Sequence, residues 1–115
     1  MKTFGTHGGT EVVELEIVSQ TGARARLITW GAALRDLIMP NDQHVVLGFD
    51  DLATYVKHSP HAGAIPGRFA NRIARGHAAI DGVTYQLDLN QDGKHHRHGG
   101  KQGFGKRVWH VVSAK

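Results

Sequence analysis

Hydrophobic and polar residues alternate most regularly over residues 12–18, VVELEIV. Val13, Leu15 and Ile17 fall on one side and Glu14 and Glu16 on the other, which predicts a half-buried strand with one wet face. Thr21-Gly22 marks a turn, and Ala23 to Trp30 reads as the returning strand of a hairpin. Its Arg24 and Arg26 can face Glu14 and Glu16 across the pair, in a register the sequence leaves open. Residues 32–39, AALRDLIM, have a mixed period, but Pro40-Asn41-Asp42 follows directly and favours a strand closed by a turn. His44 to Leu47 is a short apolar run and is expected to be another strand. Asp50-Asp51 then precede LATYVKH, with Leu52, Tyr55 and Val56 at helical spacing, so one or two helical turns capped by Asp are expected. Residues 59–76 hold two Pro, three Gly and three Arg and predict a long irregular segment. Residues 77–80 and 83–89 read as strands joined by Asp81-Gly82, which suits a type I′ turn. A second long loop, 90–107, carries Gly at 93, 99, 100, 103 and 105, and Val108 to Ser113 is expected to be a last strand. No segment sustains a 3.6-residue period, so the pattern predicts an all-β, antiparallel fold.

Composition bounds this picture. The chain has 115 residues, 40% hydrophobic and 21% charged, with no Cys. That supports one small globular domain and excludes a disulfide framework and a cysteine nucleophile. No apolar run approaches the ~20 residues of a membrane span. The opening MKTFGTHGGTEV lacks the apolar core of a secretory signal, so a cytoplasmic protein is expected. Charge is uneven: residues 1–51 hold 4 bases and 7 acids, whereas residues 52–115 hold 10 bases and 3 acids. From Gly93 to Arg107 there is no carboxylate, against Lys94, Arg97, Lys101, Lys106 and Arg107. A solvated loop explains this most simply. An anionic partner is the sharper reading, but nucleic acid is not expected, since only Phe69 interleaves with the Arg residues of 67–76.

Two clusters carry candidate chemistry. His95-His96-Arg97-His98-Gly99-Gly100 sets three imidazoles in four residues. Adjacent His95 and His96 point apart in an extended chain, and two ligands do not make a zinc site, so no metal is expected. Acid–base work at neutral pH is the alternative, with the double Gly allowing close backbone approach to a ligand. In Gly67 to Gly76, Asn71 places an amide beside the planar fork of Arg72, a pair suited to oxygen-rich ligands such as sugars or carboxylates.

The run GRFANRIARG, the IDGVTYQL hairpin, HGG and GFGKRVW, with upstream TWGAALRDLIMP and VVLGFDDLATYVKHSP, resemble the aldose 1-epimerase (galactose mutarotase) family in collinear order from about Glu11 to Val112. The resemblance implies the N-terminal part of a large antiparallel β-sandwich. It also implies an enzyme family that interconverts the α and β anomers of free aldoses such as glucose and galactose without a cofactor. An acid protonates the ring oxygen while a base removes the anomeric hydroxyl proton. The ring opens, the aldehyde rotates, and closure occurs on the other face. Carried over residue by residue, Asn71 and Arg72 are expected to hold sugar hydroxyls and His98 to stand near the ring oxygen as the catalytic or auxiliary acid group. His96 falls at a position often His or Ser, with a substrate-binding role expected.

Departures from the family pattern are Arg97 where Leu is usual, His61 where an aromatic is common, and Gly105 where many members have Asp. An unpaired guanidinium is costly to bury, so Arg97 is expected to reach solvent or a carboxylate. The family's second catalytic His and its catalytic Glu match nothing here. The expectation is therefore a partial domain over 1–115 that is inactive alone, with the remaining strands from a second polypeptide or self-association through an open edge. A non-catalytic carbohydrate-binding module is the alternative.

Overall fold

The computed structural model describes residues 1–58 and 61–114. The predicted irregular segment 59–76 begins at Ser59 and Pro60, which lie outside the described residues, as does Lys115. Four strands, β1 (Lys2–His7), β2 (Thr10–Val18), β3 (Arg24–Ile28) and β4 (Ala33–Ile38), form an antiparallel meander in chain order. Helix α1 (Leu52–Lys57) follows, with Asp51 as its N-cap accepting from the Thr54 N–H at 2.8 Å. Strands β5 (Arg72–Ala74) and β8 (His95–Arg97) pair with each other, and β6 (His77–Ile80) and β7 (Val83–Gln86) form a hairpin. Asp81 and Gly82 both have positive φ, as the type I′ turn requires.

Which face of the meander is buried differs from the expectation. Val12 and Glu14 are buried, whereas Ile17 is 61% exposed. The register places Glu14 opposite Ile28 and Glu16 opposite Arg26. It also places Arg26 opposite Asp36. One face therefore combines an apolar end with a lattice of charges. A bulge between Arg26 and Leu27 admits Arg35 as an extra residue on β4. Its guanidinium pairs closely with the buried Glu14 carboxylate, donates to the Phe49 carbonyl at 3.1 Å and lies over the Phe4 ring. Arg26 bonds Glu16 at 2.9 Å as expected, but Arg24 bonds Asp42 rather than Glu14. The opposite face carries Val13, Leu15, Ile17, Ala25, Leu27 and Leu37, and none of these is fully buried.

The core sits at the end of the charged face. Val12, Ile28, Trp30 and Ala33 pack there against Leu52 and Tyr55 of α1, with Phe4, Phe49, Ala62, Ala64 and Val108 around them. Two later segments are strapped to this end of the sheet. Leu34 N–H donates to the Gly63 carbonyl and Ile65 N–H to that of Gly31. Gly31 N–H donates to the Arg107 carbonyl and Trp109 N–H to that of Thr29.

Two expected strands reduce to single bridges, Ile38 with His44 and Trp30 with Val108. Val45 N–H still donates to the Leu37 carbonyl of β4, but Val45 and Leu47 are exposed and Val112 is 99% exposed, so neither run extends into a longer ladder among the described residues. No helix is long and apolar enough to cross a membrane among the described residues.

Candidate functional site

The 61–74 and 95–107 segments, both expected to be loops, meet through β5 and β8, whose pairing sets Arg72 opposite Arg97 and Ile73 opposite His96. Just before this ladder, Asn71 and His98 clasp each other. His98 N–H donates to the Asn71 carbonyl at 2.9 Å, and Asn71 N–H donates to His98 Nδ1 at 3.0 Å. Both residues have positive φ, 67° and 50°. The second bond fixes the ring chemistry: Nδ1 accepts, so neutral His98 carries its proton on Nε2 and presents a donor. Burial holds the His98 pKa below its ordinary value, and the charges of Arg97 and Arg72 push the same way.

Arg72 is aimed by two acceptors. Its Nε donates to Gln91 Oε1 at 2.5 Å and a terminal nitrogen to Asn71 Oδ1 at 3.1 Å. The structure thus brings Asn71, Arg72 and His98 together around one backbone clasp. A neutral donor, an amide and a fixed guanidinium there suit the hydroxyl and ring oxygens of a sugar. Gln91 is a member that no pattern in the sequence singles out.

His96 lies on another side of the same ladder, 6% exposed. Its Nδ1 donates to the Asp88 carbonyl at 2.9 Å and lies 3.1 Å from the Asp88 carboxylate. Asp88 also accepts from Lys101 N–H at 2.7 Å, and this bond with the nearby His96 holds its pKa down. His95 Nδ1 accepts from Arg75 N–H at 3.2 Å. Each of the three neighbouring imidazoles therefore serves a different stretch of backbone. Arg72 and His96 line an open cavity of about 980 Å³ whose apolar wall includes Ile73, Tyr85 and Phe104; Asn71 and His98 do not line it.

The double glycine is required by the protein's own packing. A Cβ on Gly99 would lie 1.7 Å from the Gly67 carbonyl oxygen, and one on Gly100 would lie 2.2 Å from Asp88 Oδ1. Arg97, expected to reach solvent or a carboxylate, has a buried Nε without a hydrogen bond among the described residues. Its backbone N–H and carbonyl are both held by the Asn90 side chain. His61 stacks edge-on against His98, ring centroids 4.7 Å apart, at a φ of 69°.

The model of the family described as aldose 1-epimerase matches residues 14–115. The chain belongs to the aldose 1-epimerase family. Galactose mutarotase of Bos taurus is 39% identical over 105 residues, covering 88% of this chain and 30% of the bovine protein. Aldose 1-epimerase of Haemophilus influenzae is 36% identical over 112 residues, covering 95% of this chain and 32% of that protein. A GalM/aldose epimerase homologue from C. elegans superposes with a TM-score of 0.80 at 35% identity, covering 90% of this chain and 33% of that one. Galactose 1-epimerase from Lactobacillus acidophilus also gives 0.80, at 25% identity, with 93% and 31% covered. The aldose 1-epimerase chain thus spans about 30% of the length of the curated relatives it matches. Its all-β, antiparallel architecture is a portion of the epimerase sandwich.

Proposed function

We propose that this chain is the sugar-holding N-terminal portion of an aldose 1-epimerase, acting on a free aldose such as galactose or glucose. The Asn71–His98 clasp with Arg72 beside it carries this reading. Asn71 and Arg72 bind hydroxyls, while His98 Nε2–H donates to the ring oxygen and polarises the bond from C1 to that oxygen. When a base takes the anomeric hydroxyl proton, its electrons form the aldehyde C=O, the ring bond breaks, and the ring oxygen takes a proton from an acid in the remaining strands, neutral His98 holding that oxygen by a hydrogen bond. Reclosure on the other face reverses each transfer. His96 supports the site by tying the Asp88 turn to β8.

The base is assigned to the remaining strands of the sandwich, supplied by a continuation of the chain or by a second polypeptide. These strands also cover the open face of Val13, Leu15, Ile17, Leu27 and Leu37. A positioned base contributes about 10²–10⁴ in rate, so the chain alone binds sugar without turning it over.

Galactose titration followed by tryptophan fluorescence, alongside polarimetry of α-D-glucose mutarotation, tests both halves. Saturable millimolar binding that weakens about tenfold in Arg72→Ala, with no acceleration of mutarotation, is expected. Family-like turnover by the chain alone overturns the assignment of the base. Binding unchanged in both Arg72→Ala and His98→Ala overturns the site.

A further inference from the structure

A separate cavity of about 260 Å³ opens between the end of β1, α1 and the 101–106 turn, and none of Asn71, Arg72 and His98 lines it. Its wall is aromatic and buried, with Trp30 at 8% and Tyr55 at 4% exposure. Four basic side chains from three separate stretches border it: His7, His61, Lys101 and Lys106. No residue lining it is Asp or Glu. Among the described residues none of these four side chains enters an ion pair. Burial lowers the His61 pKa, and the charges of His98, Lys106 and Arg97 lower it further.

Two of the three departures from the family pattern fall in this one cavity. By the resemblance, His61 stands where an aromatic is common and Gly105 where many members have Asp, and the second difference leaves out a negative charge. They are also neighbours, since a Cβ on Gly105 would lie 3.5 Å from His61 Nδ1. A carboxylate carried at 105 would stand within reach of that imidazole, whereas glycine leaves the basic rim unneutralised.

We propose that this cavity is a binding site for a small oxyanion of the phosphate class. The two ammonium groups over a low-dielectric aromatic wall concentrate positive potential, and a multiply charged oxyanion accepts a charge-assisted bond from each, with imidazole N–H groups as further donors. The volume exceeds the ~30 Å³ share of one water several-fold, leaving room for an organic substituent on the anion. Through His61 the bound anion stands one imidazole away from His98. Free phosphate and a sugar phosphomonoester share this chemistry.

The test is a titration of the isotope-labelled 115-residue chain by NMR at constant ionic strength, with inorganic phosphate in one arm and glucose 6-phosphate in the other. Saturable shifts at Gly105, Lys101, Lys106 and the Trp30 indole are expected in both arms. Equal affinities identify the free anion as the ligand, and about tenfold tighter glucose 6-phosphate identifies the phosphomonoester. Gly105→Asp is expected to weaken binding at least about tenfold, or ~1.4 kcal/mol, while Gly105→Asn and Lys94→Ala leave it intact. Three results each overturn the proposal: no saturable shift, shifts centred on Asn71 and Arg72, or equal loss in Gly105→Asp, Gly105→Asn and Lys94→Ala. Because galactose binding is read separately, its failure would count against the sugar site and not against this one.

Discussion

Gly100 sits at φ 83° with the Asp88 carboxylate where a side chain would begin. Gly100→Ala therefore imposes a left-handed backbone cost of about 1–2 kcal/mol and also displaces the acceptor of Lys101 N–H and the neighbour of His96. A lower melting temperature together with a displaced His96 imidazole signal in NMR is expected. At the same scale, His61 and His98 make stability depend on pH. Both titrate below the ordinary 6.5 in the native chain, burial being the largest cause for each. As pH falls through 6.5, the unfolded chain takes up protons that the native chain resists, so stability is lost; above 6.5 the effect vanishes. Asp51 and Asp88, whose pKa values are depressed below 3.8, lose their contribution only at lower pH. Thermal melts between about pH 7 and pH 5 should show a decline that is shallower in His61→Phe.

Among the elements, β2 shows how far alternation alone carries. The pattern VVELEIV located the strand and its partner, and Asp81-Gly82 located a hairpin and its turn type, because both signals are local. The buried face was misread because burial there is decided by a distant partner: Arg35, placed by a bulge that no pattern announces, neutralises Glu14. Removing one member of such a pair leaves a buried charge, which costs about 3–5 kcal/mol. Arg35→Ala should lose that much in chemical denaturation, and a paired Glu14→Leu, Arg35→Met variant should recover most of it. Strand β1 escaped notice because KTFGTH offers too few apolar positions to alternate; it is held by pairing with β2 and by Phe4 against Tyr55. Asn71 and Arg72 were legible as an oxygen-binding pair from their side-chain chemistry, whereas motif resemblance was needed to single out His98 among its neighbouring histidines. Gln91 and Asp88 were not legible at all, since their roles come from bringing residues 19 and 13 positions apart into contact.

For the molecule as a whole, one sheet face is rich in aliphatic residues yet open, and Ile17 on that face is 61% exposed. An uncovered aliphatic face of this kind favours association. The isolated chain should elute above monomer size in gel filtration, with Ile17→Lys shifting it toward monomer while its melting temperature changes little. The candidate site depends on a different global feature. The backbone at Gly99 passes so near the Gly67 carbonyl that neither segment has independent freedom to change. In domain shuffling between homologues, residues 61–72 and 95–107 should thus travel as one cassette. A hybrid taking either stretch alone, as a single breakpoint in the intervening β6–β7 hairpin produces, inherits half of an interlock.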